Sequence, residues 1–218
     1  MKRFSFSLLL AVVGIASLTL SLSSSAKAAD VYTDQPSFLA HVQAGYYLET
    51  FDSLPATDLG TSLSFSGNGF SYDASAALDL YGVAVGIGDN ALSTNNFTDT
   101  LTLTFTSGNV TAVGGEFFNT DLPGNPSFDA VIVSLNDGTS VIVTGDINDP
   151  MPFRGFVSAN ALITSLTVVG PQFADHFPTI NNLIVGGAGS PVPEPSSVAL
   201  LLSLGMATSG LMLRRRRK

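Results

Sequence analysis

Apolar and polar residues alternate with a period of two through most of the chain. The cleanest run is Leu101-Thr102-Leu103-Thr104-Phe105, with large apolar side chains on one face and threonines on the other. That is the pattern of a strand covering a core with a single face. Ser62-Leu63-Ser64-Phe65-Ser66 alternates likewise, Gly67-Asn68-Gly69 reads as a turn, and Phe70-Ser71-Tyr72 resumes the alternation. Tyr46 to Phe51, Tyr81 to Ile87, Val110 to Phe118, Leu162 to Val169 and Ile180 to Val185 are further strand runs. Ala130 to Leu135 and Ser140 to Val143 flank Asn136-Asp137-Gly138-Thr139, predicting a hairpin whose Asp-Gly supplies the positive φ of the turn. Gly114-Gly115 predicts a bulge or a close backbone approach. One helix is expected. Thr33 or Asp34 caps it, Pro36 lies near its start, Phe38, Leu39 and Val42 form its apolar face, and Gly45 ends it. Roughly nine or ten short strands with Gly, Asn and Asp turns predict an all-β fold. The expected form is an antiparallel two-sheet β-sandwich, jelly-roll-like, with one short N-terminal helix. A strongly twisted single sheet is the alternative, and it would leave an apolar face open.

The two ends break this pattern. Residues 1–29 read as a signal peptide: Lys2 and Arg3 are the basic start, and an apolar run extends from Phe4 to about Leu22. Ser23-Ser24-Ser25 then leads to Ala26-Lys27-Ala28, the small-x-small pattern that precedes a signal peptidase cut. Residues 191–218 hold Pro193-Glu194-Pro195, an apolar helix expected over 198–213, and the basic cluster Arg214, Arg215, Arg216, Arg217 and Lys218. Sixteen residues at 1.5 Å rise span about 24 Å, slightly less than a ~30 Å hydrocarbon core. The terminal cations of such a transmembrane segment stay cytoplasmic, so the geometry places the 30–190 domain on the other side of the membrane.

Charge sharpens the picture of that domain. Of nine Lys and Arg residues only Arg154 lies within 30–190, whereas sixteen of the seventeen acidic residues do. Such a surface repels nucleic acid and attracts divalent cations. The chain has no cysteine, which excludes disulfides, thiolate nucleophiles and Cys-ligated metal centres. His41 and His176 are the only imidazoles, and no Gly-x-Ser-x-Gly elbow is present, so a hydrolytic triad is not expected. Sixteen acids offer many pairs for glycosidase chemistry but no reason to choose one. Trp is absent, leaving Tyr32, Tyr46, Tyr47, Tyr72 and Tyr81 as platforms for a sugar ring or as packing residues.

The order Pro-Glu-Pro, short apolar segment and basic cluster resembles the PEP-CTERM sorting signal of Gram-negative bacteria that make exopolysaccharide. The resemblance implies processing by an exosortase and release to the cell surface or biofilm matrix. More weakly, the domain is similar to proteins that often carry such tails. The segments concerned are Phe38-Leu39-Ala40, Glu49-Thr50-Phe51-Asp52, Val113 to Phe118, Arg154 to Ser158 and Asn181 to Gly186, with Asn181 where those proteins usually have Asp. In jelly-roll modules that bind carbohydrate, a structural calcium often joins the first strand to the last. The similar positions here are Glu49, Asp52 and Asn181, oxygen donors of the kind calcium takes. Against this, Asp52 also fits a turn cap and Asn181 an ordinary strand-edge hydrogen bond. The expected protein is therefore exported, transiently anchored in the inner membrane, and non-enzymatic. It would associate with extracellular polysaccharide, with calcium as the candidate bridge. A weak glycoside hydrolase or lyase and a passive surface protein are the alternatives.

Overall fold

The computed structural model describes residues 28–159, 161–172 and 175–189. The expected transmembrane segment, sorting motif and basic cluster lie outside these residues, as does nearly all of the signal peptide. Among the described residues, no helix is long and apolar enough to cross a membrane.

The elements run β1 (Asp30–Tyr32), α1 (Gln35–Leu39), β2 (Tyr47–Glu49), β3 (Asp58–Gly67), β4 (Phe70–Gly86), β5 (Asp89–Thr94) and β6 (Thr100–Phe105). They continue with β7 (Ala112–Thr120), β8 (Pro126–Ser127), β9 (Val131–Leu135), β10 (Ser140–Val143), β11 (Phe153–Val157), β12 (Ser165–Val169) and β13 (Phe177–Gly186). The fold is thus mostly β and antiparallel, with one short helix, as the alternation predicts. The Asn136–Thr139 turn joins β9 to β10, and Asn68 and Gly69, both at positive φ, join β3 to β4. Asp34 caps α1 by accepting the Ser37 N–H at 2.8 Å, an interaction that holds its carboxyl below the usual range.

The two expected sheets are hydrogen-bonded here as one. The order is β1-β11-β7-β13-β5-β4-β6-β12-β9-β10, with β2 on β13, β3 on β4 and β8 on β7. The join is β4, which has 17 residues. Its start pairs with β6 and its end with β5, while β3 pairs with it from Phe70 as far as Tyr81. The sequence shows this strand as two runs because Asp73-Ala74-Ser75-Ala76-Ala77 has weak strand propensity and hides the continuity. The sheet curls strongly, so that β7 approaches β9, and β13 approaches both β6 and β12. The curl buries the face that a flat single sheet would leave open. Inside lie Tyr72, Leu80, Leu92, Leu101, Leu103, Phe117, Phe156, Leu166 and Ile180. Phe65 stacks on Tyr72 with ring centroids 5.0 Å apart, and Phe51 meets Phe65 edge-on at 5.5 Å.

Outside the curl, α1 presses the buried Phe38 ring onto β7 and β11. A Cβ at Gly114 would meet that ring at 2.9 Å, and one at Gly155 would overlap it. Gly114 therefore meets the expectation of a close approach. The bulge itself lies on the partner strand: Asn181 pairs with Glu116 and Ile184 with Gly114, so two residues of β13 face Gly115 alone.

Candidate functional site

Paired residues of neighbouring strands share a face. On β5, β13 and β7, the residues Leu92, Ile180 and Phe117 point into the main core. Their neighbours point outward, and these make a mixed surface. Asp89, Asn181 and Glu116 lie at one end of it, Ala91 and Phe118 in the middle, and Ser93, Thr179 and Thr120 at the other. Tyr81, Val83, Val85 and Met151 cover the middle.

The first end is organised by the β13 bulge. Asn181 is fully buried and donates its amide to Asp89 Oδ1 at 2.9 Å. Its own Oδ1 accepts the Asn182 N–H at 2.9 Å, which helps hold Asn182 at φ 49°. Asn is among the residues that tolerate this left-handed region. Asn182 then donates to Glu116 Oε2 at 3.0 Å. Burial pushes the Glu116 carboxyl up, the Asn182 hydrogen bond opposes this, and the charges of Asp89 and Asp149 push it further up. Two carboxylates, each held by an asparagine amide, therefore share one bulge.

The expected calcium ligands fall around this end. Asp52 accepts the Asn90 N–H at 3.3 Å, and Asn90 reaches back to the carbonyl of Leu54 at 2.7 Å. Asp52 and Asn181 thus bond to consecutive residues of β5. Glu49 belongs to β2, whose register places it opposite Leu183, two residues beyond Asn181. Its carboxylate accepts the Phe51 N–H at 3.0 Å and the Tyr47 hydroxyl. Burial, and then Glu49, push the Tyr47 phenol up. Among the described residues, no three His, Cys, Asp or Glu side chains converge to hold a metal. In this arrangement both oxygens of Glu49, the amide oxygen of Asn181 and one oxygen of Asp52 accept hydrogen bonds.

The other end holds a chain of buried hydroxyls. Thr179 donates to Ser93 at 2.9 Å, Ser93 donates to the Pro178 carbonyl at 3.2 Å, and Thr120 lies 3.1 Å from Thr179. Beside it opens a cleft of about 140 Å³ lined by Tyr81, Thr94, Asn95, Asp121, Leu122 and Phe177. The cleft thus combines two aromatic rings with an amide, a hydroxyl and a carboxylate, the groups that contact a polyhydroxylated ring. Of the other tyrosines, Tyr72 is wholly buried and Tyr32 lies against His41, centroids 4.8 Å apart. His41 is exposed, as expected. His176 pairs with Asp129, Nε2 to Oδ2, at 2.9 Å. Sequence reasoning missed Asp89, Glu116 and Asp121. Glu116 did carry a signal, a charge between an apolar residue pair and the glycines of a buried strand, Val113-Gly114-Gly115-Glu116-Phe117-Phe118.

Comparison with known proteins defines one feature of the chain firmly. Residues 191–217 match the PEP-CTERM protein-sorting motif. The chain thus carries an exosortase sorting signal, which implies export and processing by exosortase. No curated protein matches the chain. Among solved structures, the exo-β-1,3-galactanase of Phanerochaete chrysosporium with galactose is 20% identical at TM-score 0.32, covering 65% of this chain. A variant of that enzyme with β-1,3-galactotriose is likewise 20% identical, at TM-score 0.31 and the same coverage. This chain spans 29% of the length of the enzyme, and the likeness is too distant to bear on mechanism.

Proposed function

We propose that the chain is an exported, exosortase-processed surface or biofilm-matrix protein whose acidic β domain associates non-catalytically with extracellular polysaccharide. Divalent cations, calcium first among them, bridge its carboxylates to anionic sugars. The observation that carries this reading is a single cation, Arg154, against sixteen carboxylates in the domain ahead of a PEP-CTERM tail. The outer face of β5, β13 and β7 supports it, offering an aromatic cleft at one end and the Asp89–Glu116 cluster at the other. The half-buried Glu116 carboxyl, raised beside Asp89, is the feature that favours a carbohydrate-active enzyme instead.

The test is co-sedimentation of the exported protein with the producing cell's exopolysaccharide, in calcium and in chelator, with reducing ends measured in the same tubes. The expected result is saturable binding that chelator abolishes, with no new reducing ends. Release of reducing ends would replace the reading with an enzyme. Absence of binding in both conditions would leave a passive surface protein.

A further inference from the structure

We infer that signal peptidase cuts between Ala28 and Ala29, and that the freed α-ammonium of Ala29 forms a partly buried ion pair with Asp137 that ties the first strand of the sheet to the turn at its far edge. The inference rests on the export reading and gives it a structural consequence. Hydrolysis of the Ala28–Ala29 peptide bond by water leaves the new carboxylate on Ala28 and the amine, protonated at neutral pH, on Ala29.

Three observations carry it. First, Ala29 belongs to the fold: it is 7% exposed and its methyl lies in the main core. A cut after Ala29 would remove this contact and would set Lys27 where the small-x-small pattern needs a small residue. A cut after Ala28 keeps Ala26 and Ala28 at both small positions, one residue earlier than the 1–29 boundary.

Second, the nitrogen of Ala29 faces two acceptors. It lies 2.9 Å from Asp137 Oδ2 and 3.0 Å from Thr139 Oγ1, which is itself buried. An amide has one hydrogen to divide between them, whereas an ammonium gives each its own. The carboxylate is already aimed, because Asp137 Oδ1 accepts the Thr139 N–H at 2.8 Å. Burial works against its charge, but the bonds from Thr139 and Ala29 outweigh it and hold the Asp137 carboxyl below the usual range.

Third, the contact joins opposite ends of the sheet. Ala29 precedes β1, one terminal strand, and Asp137 lies in the turn before β10, the other. That turn is anchored in its own right: Asn136 Oδ1 accepts the Thr164 N–H at 2.8 Å. The ion pair therefore closes the curl. Electrostatics favour it as well, since after the cut the ammonium is the one cation besides Arg154 in a domain of sixteen carboxylates.

The domain contains no lysine, so once the signal peptide is removed the α-amine is the only primary amine outside Lys218 of the tail. The full chain is therefore exported from a Gram-negative host, N-terminally sequenced, and treated with an amine-acylating ester at neutral pH, folded and in denaturant. Mass spectrometry reads the N-terminal peptide. The expected sequence starts at Ala29, with acylation about tenfold or more slower in the folded protein, since a paired ammonium has little free amine. Asp137→Asn should bring the folded rate most of the way to the denatured one. A start at Asp30 or beyond, or equal folded and denatured rates in the wild type, overturns the inference whether or not the variant folds. A start at Met1 would overturn the export reading together with it.

Discussion

Strands β5, β13 and β7 present two faces built from alternate residues of the same backbone, and the two solve different problems. Inward, Leu92, Ile180 and Phe117 are fully buried against apolar neighbours, and no polar partner constrains which hydrophobe stands there. Outward, Asp89 with Asn181, Glu116 with Asn182, and Ser93 with Thr179 are matched pairs in which each residue type answers a particular partner. The comparison teaches where stability and specificity reside. Burial on the inner face supplies most of the folding energy. The outer face adds little net stability, because each hydrogen bond there replaces one to water. The sharpest way to break this division is Phe117→Ala, which should cost about 3–5 kcal/mol in urea denaturation. Ser93→Ala on the outer face should cost about 1–2 kcal/mol. Equal losses would erase the distinction.

The next effect in size comes from Asn181→Asp. Asn181 is buried and gives Asp89 its amide hydrogen. An aspartate removes that donor and brings a further carboxylate to the bulge, an uncompensated buried charge costing about 2–4 kcal/mol in chelator. With Asp52 and Glu49 at the same end, the added charge also strengthens any calcium site there. Calorimetry should therefore show a variant much less stable than wild type in chelator and recovering in millimolar calcium. No recovery would argue against calcium at these three positions.

Gly155→Ala probes the outer face where α1 covers it. The added methyl would run into Phe38, which is sealed against Gly114 and Phe153 and has nowhere to move. A loss of about 1–3 kcal/mol is expected from overpacking, read as a drop in thermal midpoint. A neutral outcome would mean that α1 rides loosely on the sheet.

These residues also show how much of the molecule is legible in sequence. The hairpin at Asp137-Gly138, the turn at Asn68-Gly69 and the β6 run are local: one face is apolar, and the turn residues have the backbone freedom the turn needs. β5 and β11 were missed as strands. Asp89-Asn90-Ala91-Leu92-Ser93-Thr94 has only one large apolar residue, because its outer neighbours are small or polar for reasons that lie on β13. The candidate site was half legible. Asp52 and Asn181 do reach adjacent residues of β5, but the bulge that aims Asn181 and Asn182 looks like ordinary strand until its partner Gly115 is placed opposite. The single curled sheet was hidden for a similar reason, since its join runs through the alanines of β4. Asp137 shows the limit most plainly. Its role in the turn can be read from four residues, and its contact with Ala29, 108 positions away, cannot.

The smallest effect separates two carboxylates of opposite character. Asp137 has its folded pKa lowered, so its charge contributes stability above its unfolded pKa, and this is lost as pH falls through the folded value. Glu116 has its folded pKa raised, chiefly by burial and then, against the Asn182 bond, by Asp89 and Asp149. Its charged form is the costly one, so the fold gains stability as pH drops through the Glu116 folded pKa. Glu116→Gln removes that titration and keeps an oxygen for the Asn182 amide. At pH 7 the variant should melt about 1–3 °C higher than wild type, a shift on the scale of less than 1 kcal/mol. The advantage should shrink as pH falls through the raised pKa and vanish below about 4, where both forms are neutral. Thermal melts of both proteins at pH 7 and near pH 4 decide the matter. A variant less stable at pH 7 but level with wild type near pH 4 would mean that the charge of Glu116 is held by the Asn182 bond more strongly than burial opposes it. The outer face would then contribute to folding as well as to recognition.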